Sequence, residues 1–328
     1  MRIISIFLIG LGFLAACTSS KEKKEDEERR VDVDALKTNM NDAPGQERGK
    51  VVADDYWRQG KAELNHYELI QNRYRDLHDG EAVLIFVLED FLYEEQVKND
   101  NYRNPNSTPI LKTNKILRFP TGLYDYSLMT SVFTPVDSLA FPHTLKVSHS
   151  AQDWCGQGWL QMNRRDKGYK LSSYSYFESE GDEFLEVKNE WLEDELYNRI
   201  RLAPSTLPEG KVSMIPSSDV VRLLHLPLKA QEAMVSVEDY EGSDFVGEKL
   251  KSLKVNYPKL KRDLMIVFSA EKPYEIVGWK DTYPSVFDRK PRTTFARRTD
   301  KLFTDYWSKN ARGDQGLRAK FGLETYVE

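Results

Sequence analysis

The chain predicts a mainly β, α+β fold: an antiparallel sheet, arranged as a sandwich or half-open barrel, with one helical insert packed against it. Three observations carry that expectation. Short runs alternate apolar and polar residues along much of the chain, as at Leu123, Tyr124, Tyr126, Leu128, Thr130 and Val132, the period-two pattern of half-buried strands. One stretch breaks that rhythm, because Leu185, Trp191, Leu192, Leu196 and Ile200 fall near one helical face with acidic residues between them. The chain of 328 residues carries two cysteines, so its fold rests on a core rather than on disulfides.

The order of elements begins with a leader. Met1-Arg2 supplies a positive end, Ile3 to Phe13 is an apolar run, and Leu14-Ala15-Ala16-Cys17 sets small residues before a cysteine. The run is shorter than the roughly 20 residues a spanning helix needs, so residues 1–16 read as a cleaved lipoprotein signal and Cys17 as the lipidation site. Several acyl chains, at about 0.8 kcal/mol per buried methylene, would hold the protein on a membrane. Thr18 in place of an aspartate points to the outer membrane, facing the periplasm or the cell surface. Residues 17–54 are charge-dense, with Lys21 to Arg30 at their heart, and read as a disordered tether. As a flexible coil it would span about 35 Å.

Residues 55–328 then read as a single β-rich domain with a helical insert at about 184–226. Asp79-Gly80 between two strand-like runs predicts a hairpin turn. Ala82 to Leu88 is apolar on both faces and predicts a central strand with two covers. Leu145 and Val147 continue the alternation. Trp159 to Met162, a turn at 164–168, and Tyr169 to Phe177 predict an antiparallel pair. A helix is expected over Phe184 to Leu202, stopped by Pro204 and Pro208, and a second over Val220 to Leu226 capped by Ser217 or Ser218. Strands resume at Ala233–Tyr240, Leu253–Tyr257, Leu264–Ser269, Tyr274–Trp279 and Thr293–Thr299. Apolar residues on two faces of these strands make a two-layer core the plainer reading. A sheet curled around an apolar groove is the other.

A net charge of -5, with basic residues scattered among acidic ones, argues against a nucleic-acid partner. The densest unusual cluster is Trp154-Cys155-Gly156-Gln157-Gly158-Trp159, with His143 and His149 upstream. A thiol nucleophile with a histidine base can be drawn there. Buried apolar Cys155 between two core tryptophans is the simpler expectation. Tyr124, Tyr126, Trp154, Cys155 and Trp159 are the candidate ligand-binding residues, and no catalytic residue is nominated. Glu178, Glu180, Asp182 and Glu183 form an acidic turn without the ligand order of a calcium loop. No histidine pair has zinc spacing, and no glycine-rich phosphate loop occurs, so neither metal nor cofactor is expected.

Tyr56-Trp57, Gly60-Lys61-Ala62-Glu63, Val83 to Phe91, Tyr124 to Ser131, Trp154-Cys155-Gly156, Ser173 to Glu178 and Asp305-Tyr306-Trp307 together resemble a family of uncharacterised Bacteroidota envelope lipoproteins, over most of the mature domain. Members are often labelled "septum formation inhibitor Maf". The early Ser-x-Ser-Pro-Arg-Arg motif of true Maf pyrophosphatases is absent from this chain. The resemblance implies an envelope location and supplies no mechanism. The leading expectation is a membrane-anchored, non-catalytic binding or assembly module for a hydrophobic ligand or an envelope protein. An envelope hydrolase using the Trp154 to Trp159 region is the alternative, with a Maf-type nucleotide pyrophosphatase more distant.

Overall fold

The computed structural model describes residues 54–323; the leader, Cys17 and the tether up to residue 53 lie outside the described residues. Among the described residues, sixteen strands form one sheet. They are β1 Ala62–Arg73, β2 Asp76–Leu92, β3 Val97–Lys98, β4 Ser107–Thr121, β5 Tyr124–Pro135, β6 Lys146–Asp153, β7 Gly156–Arg165, β8 Gly168–Ser175 and β9 Glu183–Lys188, followed by β10 Trp191–Leu192, β11 Gly210–Ile215, β12 Gln231–Asp239, β13 Leu250–Tyr257, β14 Arg262–Ser269, β15 Ile276–Pro284 and β16 Pro291–Thr304. The α-helices among the described residues are short: α1 Leu196–Leu202, α2 Ser218–Leu224 and α3 Gly316–Lys320.

The order across the sheet is β10-β11-β12-β13-β14-β15-β16-β1-β2-β4-β5-β6-β7-β8-β9, with β3 hanging on β2. Two antiparallel meanders are therefore joined where the first strand pairs with the last, Ala62 opposite Thr304 and Ile70 opposite Phe295. Among the described strands, only β10 and β11 run parallel. Such a wide sheet has to curl, and α1 shows the direction: it touches β4, β5 and β15 although β16, β1 and β2 intervene. The sheet thus curls into one half-open, sandwich-like trough with the helical insert lying in it, and residues of both arms share its core.

Burial follows from that curl. Leu84 and Phe86 point into the trough and pack with Leu196, Ile200, Leu128, Ile266 and Trp279 in the main core. Val83 and Val87, one residue out of step, pack outside against Phe321 beyond α3. The expected central strand with two covers is β2, and the C-terminal segment is its outer cover. The strands over 231–304 and the 156–175 hairpin fall where the alternation placed them.

Two expectations need correction, and one strand was missed. Asp79-Gly80 is inside β2, and the chain turns at Tyr74-Arg75, with Arg73 opposite Asp76. Gly80 is there because a Cβ would lie 2.4 Å from the Arg118 carbonyl oxygen and 2.7 Å from Phe119 Cβ; a close cross-strand approach mimics a turn signal. Residues 184–188, expected to be helical, belong to β9 along the edge of β8, with Leu185 opposite Leu171 and Val187, the least exposed residue of the strand, opposite Tyr169. Helix starts only after Leu192, through a 3-10 turn at Glu193–Glu195. Strand β4 was not anticipated. Its Pro109 and Pro120 lie near its two ends, opposite Asp90 and Asp125, where a missing N–H does least harm.

Candidate functional site

The trough is filled by an unusually polar insert. Arg201 of α1, buried with Glu63 of β1, donates through Nη2 to Glu63 Oε2 at 2.8 Å. Arg262 of β14 bridges Glu193 and Asp281, with Nη1 2.6 Å from Glu193 Oε2 and Nε 2.8 Å from Asp281 Oδ1. Lys115 of β4 donates to Asp219 of α2 at 2.9 Å. Asn198 Nδ2 reaches the Leu111 carbonyl at 2.9 Å and Thr134 Oγ1 at 2.9 Å. Ser218 donates its hydroxyl to Asp194 Oδ2 at 2.6 Å.

These contacts tune the buried acids in opposite directions. Burial works to raise Glu63, but Arg201 outweighs it and brings the carboxyl down to about 2. Burial and then the nearby Asp219 push Asp194 up to about 7. Burial likewise lifts Asp281, to about 6, against Arg262. His149 on β6 is held neutral by burial, its value down to about 4. Because the carboxylates and cations named here pair within the insert or with the wall beside it, this network fixes the helices in the trough.

The exposed chemistry is at one end of the trough, where the turns β1–β2, β4–β5, β6–β7, β8–β9 and β15–β16 gather around the C-terminal end of α2. Tyr124 and Tyr126 point inward from the start of β5. Their hydroxyls both bond that of Tyr74, Tyr126 at 2.6 Å. Tyr74 takes a left-handed backbone with φ 57° and is held there by those bonds and by Phe287, 5.0 Å between rings. Tyr126 stacks on Phe119 at 4.9 Å. Arg73 donates to the Tyr126 hydroxyl at 3.0 Å and to the Leu223 carbonyl, while its guanidinium lies 4.5 Å from the Tyr74 ring centre. Trp154, at the tip of the β6–β7 hairpin, leans toward Tyr124 with 6.4 Å between rings and is 70% exposed. Leu123, Tyr176 and Phe287 are exposed on the neighbouring turns. The result is an aromatic collar on an open mouth.

Of the candidate residues, Tyr124, Tyr126, Trp154 and Cys155 therefore come together, and Trp159 does not. Trp159 stands on the outer face opposite Tyr174, whose ring meets Phe184 edge-on at 5.7 Å. The expectation of a buried Cys155 is overturned: it is exposed. The strand ends at Asp153 and restarts at Gly156, so Trp154 and Cys155 are the two turn residues and cannot reach a core. Asp153 Oδ1 accepts the Cys155 backbone N–H at 2.7 Å. Among the described residues no histidine bonds its thiol, so the nucleophile–base pair is not assembled, and no three metal-ligating side chains cluster. Sequence reasoning missed Arg73, Tyr74 and Arg222. Arg222 had a visible signal, a lone cation between Val221 and Leu223 on a short amphipathic run.

Compared with known proteins, the chain matches no family model, no curated sequence and no solved structure. Its geometry is what speaks for its function.

Proposed function

We propose that this protein is a membrane-tethered, non-catalytic binding or assembly module of the cell envelope, taking a hydrophobic ligand or an apolar segment of an envelope protein at the aromatic mouth. The collar of Tyr74, Tyr124, Trp154, Tyr176 and Phe287 supports this reading. Exposed aromatics gathered on one rim are the composition of recognition surfaces. The chain comes into the sheet at the other end of β1, near Asp54, which pairs with Lys272 at 3.0 Å. Twelve residues of strand, at roughly 3.3 Å each, separate that point from the mouth by about 40 Å. A lipid on Cys17 would then tether the domain at the end opposite the mouth. Outer-membrane location and membership of the Bacteroidota lipoprotein family belong to the same proposal.

Cys155 provides the test, since it is the one thiol apart from the expected lipidation site. A photo-reactive maleimide placed on Cys155 in intact cells should cross-link an envelope component, and Trp154→Ala with Tyr124→Ala should cut the yield at least tenfold. Cross-linking that ignores both substitutions would remove the mouth as the site. Separately, Cys17→Ser should release the chain from membranes washed with carbonate. Persistence of that variant in the membrane fraction would refute lipid anchoring.

A further inference from the structure

At the end of the sheet opposite the mouth, the β7–β8 turn and the edge strand β9 border an open groove of about 680 Å³. Arg165, Lys167, Lys170 and Lys188 line it, against Glu186 and Glu190. Lys146 extends the basic surface along the outer face: it lies opposite Asn163, which in turn lies opposite Lys170. Residues opposite one another on neighbouring strands point the same way. The stems of Lys146 and Lys170 therefore stand two strand spacings apart, about 10 Å.

Charge is managed differently here from the other arm of the sheet. Between β11 and β16, Lys211, Lys249, Lys251, Lys254 and Lys280 each close an ion pair with an acid. Among the described residues, Lys146, Lys167, Lys170 and Lys188 close none, and Lys146 Nζ donates instead to the Gln96 carbonyl at 3.1 Å. Arg165 Nη1 likewise spends a donor on the Arg164 carbonyl, at 2.8 Å. Burial, and then the neighbouring guanidinium of Arg165, pull Lys146 below its ordinary value. Burial lowers Arg165 as well, against the attraction of Asp166. Cations crowded beside cations leave an unspent field for an anion.

The groove also lies on the tether's side of the molecule. The register row that starts at Ala62, where the chain enters β1, runs through Val87, Lys112 and Phe133 to Lys146, Asn163 and Lys170. Six strand spacings, about 29 Å along the curled sheet, separate Ala62 from Lys170. That is within the span of about 35 Å expected of the tether as a coil, so an anchor on Cys17 brings the groove to the bilayer. Lys146, Arg165, Lys170 and Lys188 are spread over four strands instead of converging on one point, which suits a plane of phosphates better than a single anion.

We propose that this groove is a membrane-contact face, where the phosphate headgroups of anionic phospholipids seat among Arg165, Lys167, Lys170 and Lys188. The contact lays the tether end of the domain on the bilayer and leaves the mouth free. It adds a second surface to the binding-module reading and rests on that reading's tether.

The test is hydrogen exchange of the protein extracted from cell membranes and placed in phosphatidylcholine vesicles, with and without phosphatidylglycerol. Peptides covering 165–170 and 186–190 should exchange at least tenfold more slowly on the anionic vesicles, and those covering 153–157 at the mouth should not differ. Salt at about 1 M, which screens charges beyond about 3 Å, should abolish the difference. Lys167→Glu with Lys170→Glu and Lys188→Glu, all exposed positions, should abolish it with an unchanged melting temperature. Should that variant fail to melt cooperatively, the two vesicle compositions and the salt series on the parent chain decide alone. Equal exchange on both vesicles, or slowing that survives the three substitutions, would overturn the proposal. So would the same slowing by soluble glycerol phosphate or by polyglutamate without vesicles, which would assign the groove to a free anion or to an acidic protein segment. Retention on neutral vesicles reports the lipid anchor and the added slowing on anionic ones reports this face, so the two fail separately, and neither touches Trp154-dependent cross-linking at the mouth.

Discussion

Cys155 and Glu63 show how differently two side chains fare in the same sheet. Cys155 occupies a hairpin tip and is exposed, so a thiol reagent should modify it in the native protein as fast as a free thiol, and Cys155→Ser should leave the melting temperature unchanged. Slow, unfolding-limited labelling would contradict that. Glu63 lies 0% exposed against Arg201, in a pair that also takes hydrogen bonds from Tyr56 and Asn65. Removing one partner strands a buried charge. Glu63→Gln should therefore destabilise the protein by about 3–5 kcal/mol in urea unfolding. Replacing both partners by apolar residues should recover much of that loss, giving a large coupling energy in the double-mutant cycle. Additive effects would mean that the pair contributes little as a pair.

Strand β2 and the 184–202 segment carry the lessons at the level of elements. Gly80 sits mid-strand with a neighbouring backbone 2.4 Å from where a Cβ would be. Gly80→Ala must push β2 and β4 apart, at about 1–3 kcal/mol of overpacking, whereas a glycine in an exposed turn would respond mainly through its own backbone conformation. A unchanged urea midpoint for Gly80→Ala would refute the close approach. Residues 184–202 satisfied a helical face on paper, yet their first part went to the sheet edge because β8 offered a row of backbone partners. Local periodicity of a few apolar residues fits two templates, and the available hydrogen-bonding edge chooses between them.

Across the whole molecule, the polar insert makes stability depend on pH. Asp194 at about 7 and Asp281 at about 6 lie above their usual 3.8, so the folded state holds protons that the unfolded chain has released. Their contribution is complete below pH 3.8 and is lost as pH rises through 6 and 7. Glu63, at about 2 against 4.5, contributes above 4.5 and loses that as pH falls through 2. His149, at about 4 against 6.5, contributes above 6.5 and loses that as pH falls through 4, which offsets part of the two aspartates. The balance puts maximal stability well on the acid side of neutrality, at about pH 4–4.5, with the melting temperature falling from there to about pH 7. Asp194→Asn should flatten that decline. A melting temperature that rises steadily to neutrality would show the buried aspartates to be ionised throughout.

What the sequence by itself determined was what local patterning can encode: the sheet-rich class, the strands over 231–304, the 156–175 hairpin, the two-sided β2 and the position of α2. Each depends on residues one, two or four apart along the chain, and such spacing is legible without coordinates. Gathering Tyr124, Tyr126 and Trp154 into one collar while sending Trp159 to the outer face was decided by strand register, since neighbouring positions differ only in which side of the sheet they point to. The curl of one continuous sheet and the ion pairs joining residues more than a hundred positions apart came only with the tertiary structure. Desolvation gives those groups their energies, and it exists only once the distant strands have closed around the insert.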